Sequence, residues 1–494
     1  MPAERVIGPA WSPRGLDLVG GRYPLRVEAH VGRLVDGLLP GVITTTFQAR
    51  QYSIHALGWA EAERRDLDLD AARELVRRME VTVAGVWANH GCPVRLPSAH
   101  GADVIVNALE HDGVLDVGRL QEPGQYAQPR AGFASTYYGS EVVLGALRAS
   151  SPPKPGERFD EPTVRSALGD LIDLAQHDSI ASDTLAGAGH LCVCAAANGA
   201  PDGDWLRRLL LEPGYRGPNE RRHAARRATT RLLLAAIGRQ PNARPLNAFR
   251  GEVCFGDFLD SDSLAVGVAE GQAWRGVMLR NYSVGAWRRL WAWMVNGVEE
   301  PQTASEIAER VADALPEGSM AALIDALPAR TAADVLLDAE EQVRGASWQP
   351  DPTTELQMLC LGAQRLDDLD GPARTAFVGQ PGEDDLGPLW FSRHLDVSRR
   401  QSVRDFGYDL ARRLVARSRR VALSKTRLRP DGTLWMPTRL RDHAGLLVRR
   451  DTEGWNDVAL RIDTYAQVLA GAGVLRHRDD DSWEVLDQGA QLVG

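Results

Sequence analysis

Apolar and polar positions alternate along the chain mostly at helical spacing. From Thr44 to about Arg65 the run TTTFQARQYSIHALGWAEAERR has helix-forming composition and no internal proline, with Thr44, Thr45 and Thr46 placed to cap it. A second helix is predicted from Asp70 to about Val86. Residues 90–130 are punctuated by Gly and Pro and carry β-branched runs such as Val104-Ile105-Val106, which predicts loops with a small strand pair. Helix dominates again over 160–300. There Val164, Leu168, Leu171 and Ile172 recur close to a 3.6-residue period. Thr303-x-x-Glu306 is a capping box ahead of one helix, Pro316 ends it, and Pro328 separates a second helix from a third starting near Thr331.

The clearest amphipathic element is 401–423. At 100° per residue, Val403, Phe406, Leu410, Leu414 and Val421 fall within about 60° of one direction, and Arg404, Arg412, Arg413, Arg419 and Arg420 take the remaining face. Further on, 455–472 reads as helix. Val474-Leu475-Arg476, the polar turn Asp479-Asp480-Asp481 and Trp483-Glu484-Val485-Leu486 read as a two-stranded wing, the order of a winged helix. The pattern predicts a mainly α (α+β) protein of multi-helical domains with a C-terminal winged-helix-like region. The lead-in over 1–30 is rich in Gly and Pro, and SSPPKPG at 150–156 is the clearest linker. The expected division is an N-terminal helical and mixed domain (1–150), a helical domain (156–300), a small helical bundle (301–390) and a C-terminal domain (391–494).

Composition adds exclusions. No run approaches the ~18 apolar residues of a membrane span, and the opening MPAERVIGPAWSPRG has neither an apolar core nor a small-residue cleavage site. Five cysteines make no disulfide framework. The expectation is a cytoplasmic protein without a membrane partner. Of 57 basic residues only Lys154 and Lys425 are lysines. Neither stands in the Gly-Lys-[Ser/Thr] context of a phosphate-binding loop, nor two residues after an acid as in a common nuclease core. Standard Walker-loop ATPases and that nuclease class are therefore disfavoured.

Charge is unevenly placed. Net charge is −9, yet residues 205–250 hold 11 arginines against Glu212 and Glu220, and residues 391–430 hold 11 arginines plus Lys425 against three aspartates. The rest of the chain is strongly acidic. Two concentrated basic segments in such a chain are candidates for phosphate contact, while arginines pairing with neighbouring acids is the structural alternative. The better candidate set is Arg404, Arg412, Arg413, Arg419, Arg420, Lys425 and Arg427, because its charge lies opposite an apolar stripe.

Candidate chemistry is sparse. Arg50-Gln51-Tyr52-Ser53-Ile54-His55 has Arg-x4-His spacing on a predicted helix and resembles the active-site motif of HEPN ribonucleases. That resemblance implies His55 as general acid/base and Arg50 as stabiliser of the charged phosphorane. Arg95 and His100 repeat the spacing. His190-x-Cys192-x-Cys194 and His90-x-Cys92 carry metal-friendly side chains, but Cys-x-Cys in an apolar run is not the usual zinc knuckle. These cysteines, with Cys254 and Cys360, are expected as buried small hydrophobes, with no metal and no cofactor. Asp257, Asp260 and Asp262 are expected in a solvated turn rather than around Mg²⁺. The aromatic clusters FASTYYG (133–139) and Trp287-x3-Trp291-x-Trp293 are expected in cores or interfaces, with base stacking as the alternative.

The segment Leu39-Pro40-Gly41-Val42-Ile43-Thr44-Thr45-Thr46 with Arg50-Gln51-Tyr52 resembles the opening of uncharacterised bacterial proteins encoded among phage-defence genes. That resemblance implies a defence or DNA-transaction role. The expected function is a non-enzymatic adaptor or nucleic-acid-contacting subunit of a multi-protein bacterial system, with DNA or RNA and other protein subunits as partners. A helical ribonuclease using Arg50 and His55 and a purely structural assembly protein are the alternatives.

Overall fold

The structure is a computed structural model that describes residues 16–17, 23–127, 132–345, 349–379 and 386–493. It is mainly α, with 22 α-helices among the described residues and strands confined to short ribbons. Most of the lead-in over 1–30 lies outside the described residues. The chain forms two compact units, each discontinuous in sequence. The first comprises Met1–Leu34, Cys254–Asp257 and Gln272–Val458; the second comprises Val35–Val253, Phe258–Gly271 and Ala459–Gly494.

In the second unit the helix Arg50–Arg64 is buried almost throughout, from Arg50 to Ala62. Its cap is not the threonine run. Thr46 instead closes a turn, its Oγ1 accepting from the Ile43 amide at 3.0 Å. The neighbouring helix Leu69–Asn89 is capped by Asp68, whose carboxylate accepts from Asp70 and Ala71 amides. Gly58 allows the two helices to approach, because a Cβ there would fall 2.9 Å from Val76 Cγ2. The expected strand run Val104-Ile105-Val106 lies inside a helix, Ala102–Asp112, on which Ile105 is buried. Packing overrides β propensity here. Val114–Asp116, just beyond it, pairs antiparallel with Ser179–Ala181.

The linker expected at 150–156 is a tight ribbon, Leu147–Arg148 against Lys154–Pro155, inside the second unit, so residue 150 divides nothing. Gly156 packs so closely on the Gly145 carbonyl that no Cβ fits, at 2.2 Å. Pro and Gly mark a turn as readily as a linker.

At the C-terminus the order helix then hairpin is present: Ile462–Gly471, then Leu475–His477 paired antiparallel with Trp483–Val485. The helix starts later than expected because Arg461 sits at φ +65°, in the left-handed region that does not continue a helix. These elements belong to the second unit, whereas the arginine-rich helix belongs to the first, so the expected 391–494 domain is divided.

The first unit is built on the bulk of the 28-residue helix Ala269–Asn296. Trp274, Trp287 and Trp291 are buried along it, and Trp287 Nε1 donates to the Leu386 carbonyl at 3.0 Å. This cluster is core. Glu355 is buried between two arginines: it accepts from Arg289 Nε at 3.0 Å and from Arg344 Nη1 and Nη2 at 2.7 and 2.8 Å. The Thr303–Glu306 capping box is present ahead of Ala304–Asp313, and Ser319 caps Met320–Asp325. The third helix of this stretch starts at Ala339, not Thr331. A hairpin, Thr331–Ala332 with Val335–Leu336, comes first. Its turn residues Ala333 and Asp334 have φ +47° and +67°, a two-residue turn of the mirror-image kind without its usual Asn-Gly signal.

Candidate functional site

The arginine-rich helix runs from Val403 to Ser424, capped by Ser402, whose hydroxyl accepts from the Asp405 amide at 3.0 Å. Its apolar stripe is as the 3.6-residue period requires: Val403, Phe406, Leu410, Leu414 and Val421 are buried, while Arg404, Arg412, Arg413, Arg419 and Arg420 are exposed. Arg404 pairs with Asp313 and Arg419 with Asp442. Arg412 donates to Ser305 Oγ at 3.0 Å and to the Tyr408 hydroxyl at 3.3 Å. Arg427 is exposed on the short strand that follows. Lys425 is only partly accessible. Its ammonium donates to the Tyr23 carbonyl at 2.9 Å, and burial holds its pKa below the usual lysine value.

The last turns of this helix form one wall of a cleft of about 470 Å³. Arg417, Arg420, Val421 and Ser424 face Arg26, His30 and Arg33, with Gly379 at the edge. His30 closes in on Gly379, where a Cβ would fall 2.9 Å from the imidazole, and its Nε2 lies 2.7 Å from the Ala376 carbonyl. Arg417 Nε donates to the Leu25 carbonyl at 2.7 Å, which fixes the guanidinium at the cleft. Four guanidinium groups therefore line one open, concave site of the first unit. The planar guanidinium group is the side chain best matched to phosphate or carboxylate oxygens.

The other basic segment, 205–250, is largely absorbed by the fold. Arg226 is buried and donates Nε to the Leu210 carbonyl at 3.0 Å; Arg207 donates to Ala472, and Arg208, Arg239 and Arg244 pair with Asp160, Glu252 and Asp463.

Arg50 and His55 are fully buried. Arg50 holds Asp202 through Nε at 2.9 Å and Nη2 at 3.1 Å, and its Nη1 donates to the carbonyls of His190 and Cys192. His55 lies between two carboxylates, Nδ1 2.6 Å from Glu141 and Nε2 2.8 Å from Glu80. Burial by itself would lower its pKa, but the Glu141 charge and hydrogen bond, with Glu80, push it up to about 10. An imidazole packed this way reaches no scissile phosphate. The ribonuclease role, which needs both side chains at a cleft or dimer seam, is corrected to a structural one. Helical spacing alone could not separate the two, because a buried helix also places i and i+5 side chains into polar partners. Of the Phe133–Gly139 aromatics, Tyr137 is interior, while Phe133 and Tyr138 are half-buried. Tyr137 is buried with its hydroxyl 2.8 Å from His100 Nε2, and Phe133 stacks on His100 at 4.3 Å. Burial drives His100 down to about 3, so it stays neutral.

The cysteines are placed differently from the paired reading of the sequence. His190 turns outward toward Asp170 at 3.2 Å. His90, from the end of Leu69–Asn89, takes its place: ligand atoms of His90, Cys192 and Cys194 all lie within 4.8 Å of one another. Cys92 Sγ lies 3.4 Å from Cys192 Sγ. Within the cluster, hydrogen bonds from the Cys192 and Cys92 thiols hold the Cys194 pKa well below the usual thiol value. The Cys194 hydrogen bond raises that of Cys192. Cys254 and Cys360 are buried in the first unit. The available signal was the pair of one-residue-spaced motifs, His90-x-Cys92 and Cys192-x-Cys194, in a chain with five cysteines. Asp260 lies in a short helix, Phe258–Ser261, rather than in a turn, and Asp262 just beyond it accepts from the Leu264 amide at 2.9 Å.

No family model, curated protein or solved structure matches this chain. Among the described residues no helix is long and apolar enough to cross a membrane.

Proposed function

We propose that this protein is a non-catalytic subunit of a multi-protein bacterial assembly, of the phage-defence kind, that holds a nucleic-acid backbone at the arginine-lined cleft and the adjoining face of Val403–Ser424. The observation that carries the reading is the convergence of Arg26, Arg33, Arg417 and Arg420 on one open cleft, in a chain of net charge −9. An acidic protein repels nucleic acid over most of its surface, so a basic concavity defines where a phosphate chain is tolerated. The exposed Arg412, Arg413 and Arg419 extend the positive surface along the helix. The Arg404–Asp313 and Arg419–Asp442 pairs are exposed contacts worth about 0–1 kcal/mol, small enough for phosphate to displace the acid.

The test is binding of labelled single- and double-stranded DNA and RNA to the full chain at about 50 and about 200 mM salt. Changing Arg412, Arg413, Arg419 and Arg420 to Glu is expected to weaken binding regardless of sequence. Each lost phosphate contact should also flatten the slope of log affinity against log salt by about 0.7–0.9. Binding that is absent, or indifferent to the four substitutions, would leave this face as a protein-docking surface and remove the nucleic-acid reading.

A further inference from the structure

We propose that His90, Cys92, Cys192 and Cys194 form a structural zinc site that staples the end of the Leu69–Asn89 helix to the segment 189–198. This inference is independent of the nucleic-acid reading, since all four residues belong to the second unit.

Three ligand atoms, from His90, Cys192 and Cys194, are mutually close, and Cys92 approaches the same cluster through Cys192, so that closing on a metal asks for a short movement of its thiol. Zn–S and Zn–N bonds of about 2.3 and 2.0–2.1 Å at tetrahedral angles put neighbouring ligand atoms about 3.5–3.8 Å apart. The three mutually close ligands lie within 4.8 Å of one another, and Cys92 Sγ stands 3.4 Å from Cys192 Sγ. That sulfur–sulfur distance is far beyond the ~2.05 Å of a disulfide. It is a thiol contact a few tenths of an ångström shorter than the ~3.8 Å sulfur–sulfur edge of a zinc tetrahedron, so the two sulfurs need only part slightly to share a metal. Burial agrees, with Cys192 and Cys194 buried and His90 and Cys92 half-buried.

The surrounding backbone is organised to present these atoms. His90 ends its helix with extended dihedrals (φ −101°, ψ 120°), which turns the chain toward Cys92. Gly189 lets the imidazole in, because a Cβ there would fall 2.7 Å from His90 Nδ1. Cys192 closes one short 3-10 turn and Cys194 precedes the next. The carbonyls beside the thiols have their own donors: Arg50 Nη1 reaches Cys192 at 2.6 Å, and Asn198 Nδ2 reaches Cys194 at 3.0 Å. With the backbone satisfied elsewhere, the thiol groups converge on one another.

Ligand chemistry selects the metal. Three sulfurs and one imidazole suit a soft or borderline dication and exclude Mg²⁺ and Ca²⁺, which take oxygen ligands. Four protein ligands leave no open coordination position, so the site is structural and not catalytic. Binding replaces the thiol protons by the metal, and those protons leave to solvent. The two ligand pairs lie 100 residues apart, so the metal would add a covalent-strength closure to a long loop.

The experiment is metal analysis of the full chain after reconstitution with ZnSO₄ in reducing, oxygen-free buffer and gel filtration. The expected result is about one zinc per chain, and on cobalt substitution the sulfur-to-cobalt charge-transfer and strong visible bands of a tetrahedral thiolate site. Cys194→Ser and Cys92→Ser should each weaken zinc binding by roughly tenfold or more, while Cys360→Ala leaves it unchanged. If the ligand variants fail to fold, the wild-type chain still decides the matter. Mercurial modification of its thiols should then release the zinc in step with cysteine loss. Zinc well below one equivalent in the reconstituted wild type, a cobalt spectrum without thiolate charge transfer, or undiminished zinc in folded Cys194→Ser would each overturn the proposal.

Discussion

Arg50 Nη1 donates to the Cys192 carbonyl at 2.6 Å, joining a buried guanidinium on the central helix of the second unit to the backbone of a cluster cysteine. The same guanidinium is held bidentately by Asp202, and neither side chain of that pair is accessible to solvent. A motif that resembles catalytic spacing in the sequence is thus a bracket in the fold.

Removing Asp202 leaves that guanidinium buried without its counter-charge. Asp202→Ala is expected to destabilise the second unit by about 3–5 kcal/mol. Arg50→Lys keeps the charge but loses the fork, and should also shift the urea midpoint downward. A midpoint unchanged in both variants would show that the bracket contributes nothing.

Glu355 offers the corresponding test in the first unit, where it serves Arg289 and Arg344 together. Glu355→Ala should lower stability by about 3–5 kcal/mol. Glu355→Gln, which preserves shape but not charge, should recover little of the loss. Thermal unfolding with the two substitutions side by side separates packing from charge.

His55 sets a pH dependence. Its folded value near 10 lies above the ordinary 6.5, so its contribution is complete below pH 6.5 and is lost as pH rises through about 10. Burial also raises Glu141 above 4.5, which makes the folded state retain a proton longer and acts in the same direction. Urea midpoints taken from pH 6.5 to 10 should therefore decline. The decline should be shallower in His55→Gln. Parallel profiles for the two proteins would contradict the assignment.

The capping box gives a local measurement. Thr303 Oγ1 accepts from the Glu306 amide at 3.1 Å, and the Glu306 carboxylate accepts from the Thr303 amide at 2.6 Å. Thr303→Ala should cost about 0.5–2 kcal/mol and Thr303→Ser much less. Equal losses for the two would mean that the methyl, not the hydroxyl, matters.

Local periodicity determined a good part of this protein. The buried stripe and exposed arginines of Val403–Ser424, the box at Thr303, and the presence of helices over 50–64, 69–89 and 161–174 all follow from spacing within a few turns. Such features depend on 3.6 residues per turn and on caps, which neighbouring residues alone can satisfy. What lay beyond reach depended on the path of the chain. His90 rather than His190 joins Cys192 and Cys194 because the end of one helix and a loop 100 residues later are packed side by side. Arg50 and His55 are structural because Asp202, Glu80 and Glu141 arrive from distant segments and bury them. The turn at Ala333–Asp334 adopts left-handed dihedrals that its residues do not advertise. Burial and counter-charge decide whether an arginine, histidine or cysteine is scaffold or site, and both are properties of the tertiary fold.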